Sequence, residues 1–278
     1  MDELLSEVRK KFLELLKSEV KAIVVFGSAA RPADFAPSVS DIDVAVFVGE
    51  KPPIKVRVAV NWVSDVRINP VFITFQDYRK LCRIGHPLAY WIVRDSKVIY
   101  DSGLFKEMAI EPVVNSYTLE YLSRSALVAM ALAAEDYVAG RLIEAVNHMY
   151  HAVRHAVRWA AGSKWLRLPA SNAEVLDAVE KLHTPSIVRA CFLRLINIRK
   201  RGATTSWEAR TQINASLRAI AEIFKVEFTD WAITEARLKG LLRRGSLVKL
   251  SLKKDEGRLT WSAKIFDVRK TKIIEVNL

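Results

Sequence analysis

The sequence is poor in cysteine, in glutamine and in long apolar runs, and each shortage excludes something. Cys82 and Cys191 are far apart, which excludes a disulfide framework and a cysteine-based metal motif, so we expect two buried free thiols. No apolar run approaches the roughly 20 residues of a membrane span, and residues 1–3 begin a polar helix rather than a signal peptide. We therefore expect a cytoplasmic protein without a membrane partner. Only Gln76 and Gln212 are glutamines, a composition typical of thermophiles.

Acidic charge is scarce in only part of the chain. The net charge is +12, and it divides into +1 for residues 1–113, +6 for residues 114–225 and +5 for residues 226–278. An excess of Lys and Arg outside a neutral N-terminal part predicts a polyanionic partner such as RNA. The alternative is that a thermophilic protein simply carries many exposed basic residues.

A short apolar run that ends in Gly-Ser is the first feature with a chemical meaning. Residues 22–26 are apolar and β-branched, which predicts a buried strand, and Gly27 permits a tight turn. Ser28 is placed to cap a following helix, whose free N–H groups would attract phosphate. The next segment, Arg31 to Ser40, contains Pro32 and Pro37 and predicts an exposed loop. We predict that Gly27, Ser28, Arg31 and Ser40 bind a nucleotide.

Two alternate carboxylates begin the next predicted strand. Asp41 and Asp43 should share one face of that strand, with Ile42 and Val44 turned toward the core. Two close carboxylates repel one another unless a cation lies between them, and Mg²⁺ or Mn²⁺ accepts such oxygen ligands together with phosphate oxygens. The plainer alternative is that Ser40 and Asp41 cap a turn and that Asp43 is an exposed edge-strand charge.

Taken together, these residues resemble a known family. The run 26–28 and, after a twelve-residue gap, the run 41–44 are similar to the signature of DNA polymerase β-like nucleotidyltransferases. The similarity is to the minimal members found in archaea and bacteria, and it continues through residues 68–74, His86-Pro87 and residues 98–101. It covers about the first 110 residues. The resemblance implies an α/β (α+β) domain with a mixed sheet over residues 1–112.

The same resemblance implies roles for single residues. Gly27 and Ser28 would contact the triphosphate of an NTP such as ATP, and Asp41 and Asp43 would bind the metal. The family's third carboxylate lies on the following strand, where this chain has Asn69. An amide cannot take a proton. Two hypotheses follow: a Mg²⁺-dependent transferase that moves a nucleoside monophosphate to an unidentified acceptor, or a catalytically impaired nucleotide- or RNA-binding regulator.

Residues 113–225 change to a helical period. Five helices are predicted, joined by short loops, which indicates an all-α antiparallel bundle. Their predicted ranges are 115–139, 141–161 with Gly162-Ser163 as its end, 171–182, 185–201 and 205–224.

The second of these helices is unusual in its polar residues. Residues 140–156 resemble the core helix of HEPN domains, and Arg141 with His148, followed by Tyr150, is loosely similar to the Arg–His pair of HEPN ribonucleases. The resemblance suggests a toxin–antitoxin-like pair within one chain as a third hypothesis. His148, His151 and His155 share one helical stripe, which fits a polar seam in the bundle or, alternatively, a transition-metal site.

Residues 226–278 predict a small basic element of one helix and three strands. The helix runs from a Thr229-Asp230 cap to Leu242. The strands are predicted at 247–252, 259–266 and 273–276, with residues 253–257 as a hairpin turn. The element could bind RNA or form a homodimer contact.

Overall fold

A computed structural model describes residues 1–36, 39–63 and 65–278 of the chain. These residues form two compact units. The first unit consists of residues 1–121 and 169–174, and the second of residues 122–168 and 175–278. The predicted segments 113–225 and 226–278 therefore both fall largely within the second unit. Pro37 and Ser38 of the predicted loop lie outside the described residues.

The first unit contains a five-stranded sheet and short helices. Its strands are β1 (Val20–Phe26), β2 (Ile42–Val48), β3 (Trp62–Val63), β4 (Val66–Ile73) and β5 (Ser96–Asp101). Its helices are α1 (Asp2–Leu16), α2 (Ile54–Ala59), α3 (Phe75–Ile84), α4 (Pro87–Arg94) and α5 (Leu104–Met108).

The strand order is β3-β4-β2-β1-β5. Strands β2 and β4 are parallel, whereas β1 pairs antiparallel with both β2 and β5, and β3 pairs antiparallel with β4. The prediction of a mixed sheet is confirmed.

Both faces of this sheet are covered, which explains why its central strands are almost continuously apolar. On one face, side chains of α1 such as Phe12 pack with Val44 and Ile68. On the other, residues of α3, α4 and α5, among them Tyr78 and Ile92, pack with Phe47. The polar side chains of β1 and β2, Lys21 and Asp43, lie near the ends of these strands.

The second unit is rich in long helices. They are α6 (Ser116–Val138, which begins in the first unit), α7 (Leu142–Trp165), α8 (Asn172–Lys181), α9 (Ser186–Arg201), α10 (Ser206–Phe224) and α11 (Trp231–Leu242). Helices α7, α9 and α10 pack against one another around buried residues such as Met149, Phe192 and Leu217.

The same core continues into a second sheet. Strands β6 (Glu227–Phe228), β7 (Gly245–Asp255), β8 (Arg258–Asp267) and β9 (Lys272–Asn277) form it, in the order β6-β8-β7 with β9 also paired to β8. Leu250 and Trp261 lie in one cluster with the helical residues.

The predicted helix and strands of residues 226–278 are thus present, with longer strands than expected. Asp230 caps α11 by accepting a hydrogen bond from the Ala232 N–H at 2.8 Å. Residues 253–255 belong to β7, so the predicted five-residue turn shrinks to Glu256 and Gly257. Both have positive φ, at 42° and 78°, as tight turns between antiparallel strands require.

Two other local predictions were wrong. Gly162-Ser163 does not end α7, which continues to Trp165 because Ser163 Oγ donates to the Trp159 carbonyl one turn earlier and so accommodates serine within a helix. Cys82 is half-buried, although Cys191 is buried as expected, and both thiols are free. Among the described residues, no helix combines the length and the apolarity that a bilayer span demands.

Candidate functional site

The predicted nucleotide-binding residues meet at one edge of the first sheet. Because β1 is antiparallel to β2 and β2 is parallel to β4, the end of β1 and the starts of β2 and β4 lie at the same edge. The register pairs Phe26 with Asp43, and Asp43 with Asn69. Gly27 follows Phe26 directly, so the Gly-Ser turn stands beside the Asp-x-Asp strand.

Gly27 lies against the second carboxylate of the Asp-x-Asp strand. Its φ is +71°, in the left-handed region, and a methyl group added to it would lie 2.8 Å from Asp43 Oδ2. The backbone conformation therefore favours glycine here, and a larger residue would also force the Asp43 carboxylate to shift.

Asp41 and Asp43 are half-buried, while Ile42 and Val44 between and after them are fully buried. This alternation is what the sequence predicted. Asp41 itself immediately precedes β2 rather than opening it.

Carboxylate oxygens of this kind suit Mg²⁺, which commonly takes one or two protein carboxylates and completes its shell with phosphate and water oxygens. Within the parts of the chain that the structure describes, no group of three or more His, Cys, Asp or Glu side chains is arranged to hold a metal. Asp41 and Asp43 offer two carboxylates at this edge of the sheet.

Asn69 is fixed to Asp43 by its amide. Asn69 Nδ2 donates a hydrogen bond to Asp43 Oδ1 at 2.9 Å, and the Asn69 side chain is exposed. The parallel register thus brings Asn69 beside Asp43. Its NH₂ group orients the carboxylate, adds no negative charge and cannot accept a proton.

The Gly-Ser turn differs from the prediction in its local structure. Gly27–Ala30 form a short 3₁₀ turn rather than the start of an α-helix, and its N-cap residue is Phe26, so Ser28 lies within the turn and not at the predicted cap position. The turn is closed by the Arg31 N–H, which donates to the Ser28 carbonyl at 3.0 Å. Ser28 is half-buried beside the two strand ends.

Arg31 and Ser40 are engaged within their own loop. Arg31 Nε donates to Asp34 Oδ2 at 2.8 Å and its guanidinium contacts the Asp95 carboxylate, leaving 17% of the side chain exposed. Ser40 is buried, and its Oγ accepts the Ala36 N–H at 3.1 Å. Sequence reasoning missed Asp34 and Asp95: the i, i+3 spacing of Arg31 and Asp34 was a usable signal, whereas nothing in the sequence marks Asp95.

A second polar cluster lies on α7. Arg141 Nε donates to Asp136 Oδ1 at 2.8 Å, and His148 Nε2 lies 3.4 Å from Asp136 Oδ2. Arg141 and His148 thus meet on one carboxylate, which belongs to the preceding helix and was not singled out in the sequence.

The rest of the α7 stripe is more deeply buried. Tyr150 accepts a hydrogen bond from Arg154 at 2.9 Å, and the Arg199 guanidinium lies 3.9 Å from the centre of its ring. Burial lowers the pKa of His155 to about 3 and, helped by Arg199, that of His151 well below its ordinary value. Both imidazoles are therefore neutral at pH 7. This arrangement favours the predicted polar seam.

The comparisons with known proteins bear on the first unit in particular. Residues 5–100 match the family model described as Nucleotidyltransferase domain. Among solved structures, the chain is similar to spectinomycin adenyltransferase AAD(9) from Enterococcus faecialis, determined with ATP and spectinomycin. That similarity has a TM-score of 0.56 at 15% identity and covers 80% of this chain and 99% of that one.

A nucleotidyltransferase-like protein from Exiguobacterium sibiricum 255-15 aligns over 92% of this chain and 98% of its own. Its TM-score of 0.28 and identity of 12% are too low to support an argument. No curated protein sequence matches the chain. The chain therefore carries a nucleotidyltransferase domain, and its fold is shared with an adenyltransferase.

Proposed function

We propose that the protein is a Mg²⁺-dependent nucleotidyltransferase that moves a nucleoside monophosphate from an NTP, with ATP as the favoured donor, to an unidentified acceptor. Gly27 and Ser28 would hold the triphosphate, Asp41 and Asp43 would bind the metal, and Asn69 would orient Asp43. Mn²⁺ would substitute for Mg²⁺, since both take carboxylate and phosphate oxygens.

One observation carries this proposal: Asp43 Oδ2 lies against Gly27, so that a methyl group there would be 2.8 Å away. A triphosphate seated on the turn would then share its metal with the Asp-x-Asp strand. Such a metal stabilises charge on the transferred phosphoryl group and on the leaving pyrophosphate. ATP as the donor is supported by the adenyltransferase of similar fold, which was determined with ATP. At 15% identity that relative says nothing of this chain's acceptor.

Label transfer tests the proposal directly. The protein is incubated with α-labelled ATP, Mg²⁺ and either total RNA or a protein extract, and label is counted in each acceptor fraction. We expect transfer that falls by about 10³-fold in Asp43→Asn, because a metal ligand is lost. Asp77→Asn is the matched control, since Asp77 lies at the opposite edge of the same sheet, where it pairs with Lys51 at 2.8 Å.

A regulator that binds nucleotide without transferring it is the second candidate. Asn69 favours it, because the residue paired with Asp43 across the parallel strands is an amide hydrogen-bonded to that carboxylate. This candidate predicts Mg²⁺-dependent ATP binding that Asp43→Asn abolishes, with no label transferred to any acceptor.

The second unit adds further proposals. We infer that residues 113–225 form an antiparallel HEPN-like bundle, that a toxin–antitoxin-like relation with the nucleotidyltransferase domain is an alternative to an enzyme, and that residues 226–278 act as a basic element. These boundaries follow from the helical period and from the charge distribution.

An RNA acceptor is supported by one feature of the second sheet. Exposed Lys249 and Lys264 stand directly opposite one another across β7 and β8, where like charges are unfavourable unless an anion lies over them. Glu275 pairs with Lys264 at 3.7 Å and offsets part of this charge. RNA affinity measured by gel shift should fall in Lys249→Glu and stay unchanged in Lys97→Glu. Equal affinity in both would favour a protein acceptor or a homodimer contact.

A further inference from the structure

We propose that Arg31 is a positioning residue, which holds the Gly27–Ala30 turn in place through two buried carboxylates and does not touch the nucleotide. The inference rests on the proposed function, because the turn is taken to bind the triphosphate. It replaces the sequence-based expectation that Arg31 reaches a phosphate from an exposed loop.

Arg31 contacts residues on both sides of it in the sequence, Ser28 and Asp34, and also Asp95. Its backbone N–H closes the turn on the Ser28 carbonyl at 3.0 Å, and its own carbonyl accepts the Asp34 N–H at 2.9 Å. Its Nε donates to Asp34 Oδ2 at 2.8 Å, and its guanidinium contacts Asp95. Main chain and side chain together therefore fix the three residues that follow Ser28.

Asp95 connects this cluster to the sheet. It directly precedes β5, whose first residue, Ser96, pairs with Phe26 in the neighbouring strand β1. Phe26 is the residue immediately before Gly27. The Arg31–Asp95 contact thus links the turn that follows β1 to the start of β5, the strand that pairs with β1 at Phe26.

Asp34 adds a second anchor from a distant part of the sequence. Its Oδ2 also accepts the Asn172 N–H at 3.0 Å, at a buried position. Asn172 follows the N-terminal residue of a capping box, in which the Glu174 N–H donates to Ser171 Oγ at 3.0 Å and Glu174 Oε2 accepts the Ser171 N–H at 3.3 Å. One carboxylate oxygen therefore joins the loop to the segment 169–174 of the first unit.

Because Asp34 and Asp95 are buried, the loss of their partner Arg31 would cost stability. The side chains of Asp34 and Asp95 are 8% and 5% exposed. A carboxylate removed from water needs charged or N–H partners to replace its hydration, so losing Arg31 would leave two carboxylates under-compensated. The loop would then rearrange to expose them, and the turn that carries Ser28 would move with it. A displacement of about 1 Å at a substrate contact costs up to about 100-fold.

Two measurements separate positioning from direct phosphate contact. The first is amide hydrogen exchange over residues 27–34, without nucleotide, in wild type, Arg31→Lys, Asp34→Asn and Asp95→Asn. We expect faster exchange in all three variants, because each removes part of the same cluster. Asp77→Asn, at the other edge of the sheet, should exchange as wild type does.

The second measurement compares dissociation constants for Mg²⁺–ATP and for AMP by calorimetry. Arg31→Ala and Asp34→Asn should each weaken ATP binding by about 10-fold or more, with the affinity for AMP little changed, because the turn serves the β- and γ-phosphates. In a Ser28→Ala background, Arg31→Ala should add no further loss, since its effect passes through the turn.

These measurements can overturn either the positioning role of Arg31 or the proposed function, and the two failures look different. Effects of Ser28→Ala and Arg31→Ala that multiply, together with Asp34→Asn and Asp95→Asn variants that bind ATP normally, would show direct phosphate contact and overturn the proposal. Unchanged hydrogen exchange would overturn it as well. A wild-type protein that fails to bind ATP would contradict the proposed function alone, because the exchange measurement still tests the positioning role.

Discussion

The strand ends of the first unit and the polar stripe of α7 both place several polar side chains close together, yet they differ in what surrounds them. Asp41, Asp43 and Asn69 are half-buried or exposed, at the edge of the sheet where β1 ends and β2 begins. Tyr150, His151 and His155 lie on a helix packed on several sides, where the Tyr150 ring stacks on Phe192 and lies against Arg199, and the two imidazole rings are 6.4 Å apart.

This difference shows when a polar pattern indicates function. At the strand ends, the register of β2 and β4 places Asn69 beside Asp43, and both side chains lie at half-buried or exposed positions. On α7 the helical period brings a similar set together, but Tyr150 at its centre is only 1% exposed and is enclosed by Phe192 and Arg199. A chemical site needs accessible groups as well as proximity.

The largest effect should come from comparing two glycines of similar backbone conformation. Gly27 and Gly257 have φ values of +71° and +78°, but an added methyl group meets Asp43 at Gly27 and nothing within 4 Å at Gly257. Both alanine variants should lose about 1 kcal/mol of stability. Only Gly27→Ala should also lose nucleotide transfer, by about 100-fold. Equal activity in the two variants would mean that the Gly27–Asp43 contact has no role in the site.

Acid titration should affect the buried stripe next most strongly. The pKa of His155 is lowered to about 3 by burial and by Arg158 and Arg154, so the unfolded chain takes up a proton first. The free energy of unfolding should be unaffected by this group above about pH 6.5 and should fall steadily as the pH drops from there toward 3. Urea unfolding in His155→Leu should show a smaller fall.

The exposed histidine of the α8–α9 turn provides the control for this titration. His183→Asn keeps a side chain that tolerates the positive φ of 52° at that position. Urea unfolding of this variant is measured alongside that of His155→Leu. A His155→Leu protein with unchanged acid sensitivity would contradict a neutral buried imidazole.

The Asn69→Asp variant tests whether a metal binds beside Asp43 at the strand ends. A third carboxylate beside Asp43 would replace a hydrogen bond with repulsion, so we expect thermal stability without metal to fall by about 1 kcal/mol and Mg²⁺ to restore it. Transfer activity should rise by up to about 10-fold if proton removal limits the reaction. A Mg²⁺ response no greater than that of wild type would argue against a metal at Asp43.

The smallest effect should come from Tyr150→Phe. The change removes the hydroxyl that accepts from Arg154 at 2.9 Å and keeps the ring against Arg199. We expect a loss of about 1 kcal/mol in the free energy of unfolding. Tyr117→Phe, at an exposed tyrosine, should be neutral, and a neutral Tyr150→Phe would show that this hydrogen bond does not stabilise the stripe.

Sequence patterns predicted the strands best where apolar side chains face covering helices on both sides. The runs at 22–26 and 42–48 could be predicted as strands without knowledge of their tertiary contacts, because few other structures bury so many β-branched residues in a row. The family resemblance placed Asn69 at the third site position, and the structure adds that Asn69 pairs with Asp43 across the parallel strands.

Other features depended on contacts that no local pattern encodes. Arg31 looked like an exposed loop cation, because its partner Asp95 lies 64 positions away and the exposed or buried state of a loop is set by what packs over it. The sequence analysis did not single out Asp136, although its carboxylate contacts both Arg141 and His148. The end of α7 was misjudged because a serine hydroxyl can bond back to its own helix.

Metal-dependent nucleotide binding at the strand ends is the claim on which the rest depends. Calorimetry of ATP with and without Mg²⁺, on wild type and on the double variant Asp41→Asn/Asp43→Asn, measures it directly. We predict that Mg²⁺ strengthens ATP binding by at least about 10-fold in wild type and has no effect in the variant, because the variant lacks both carboxylate ligands. ATP binding that is equally strong in both proteins, with or without Mg²⁺, would contradict a metal–nucleotide site at this edge of the sheet.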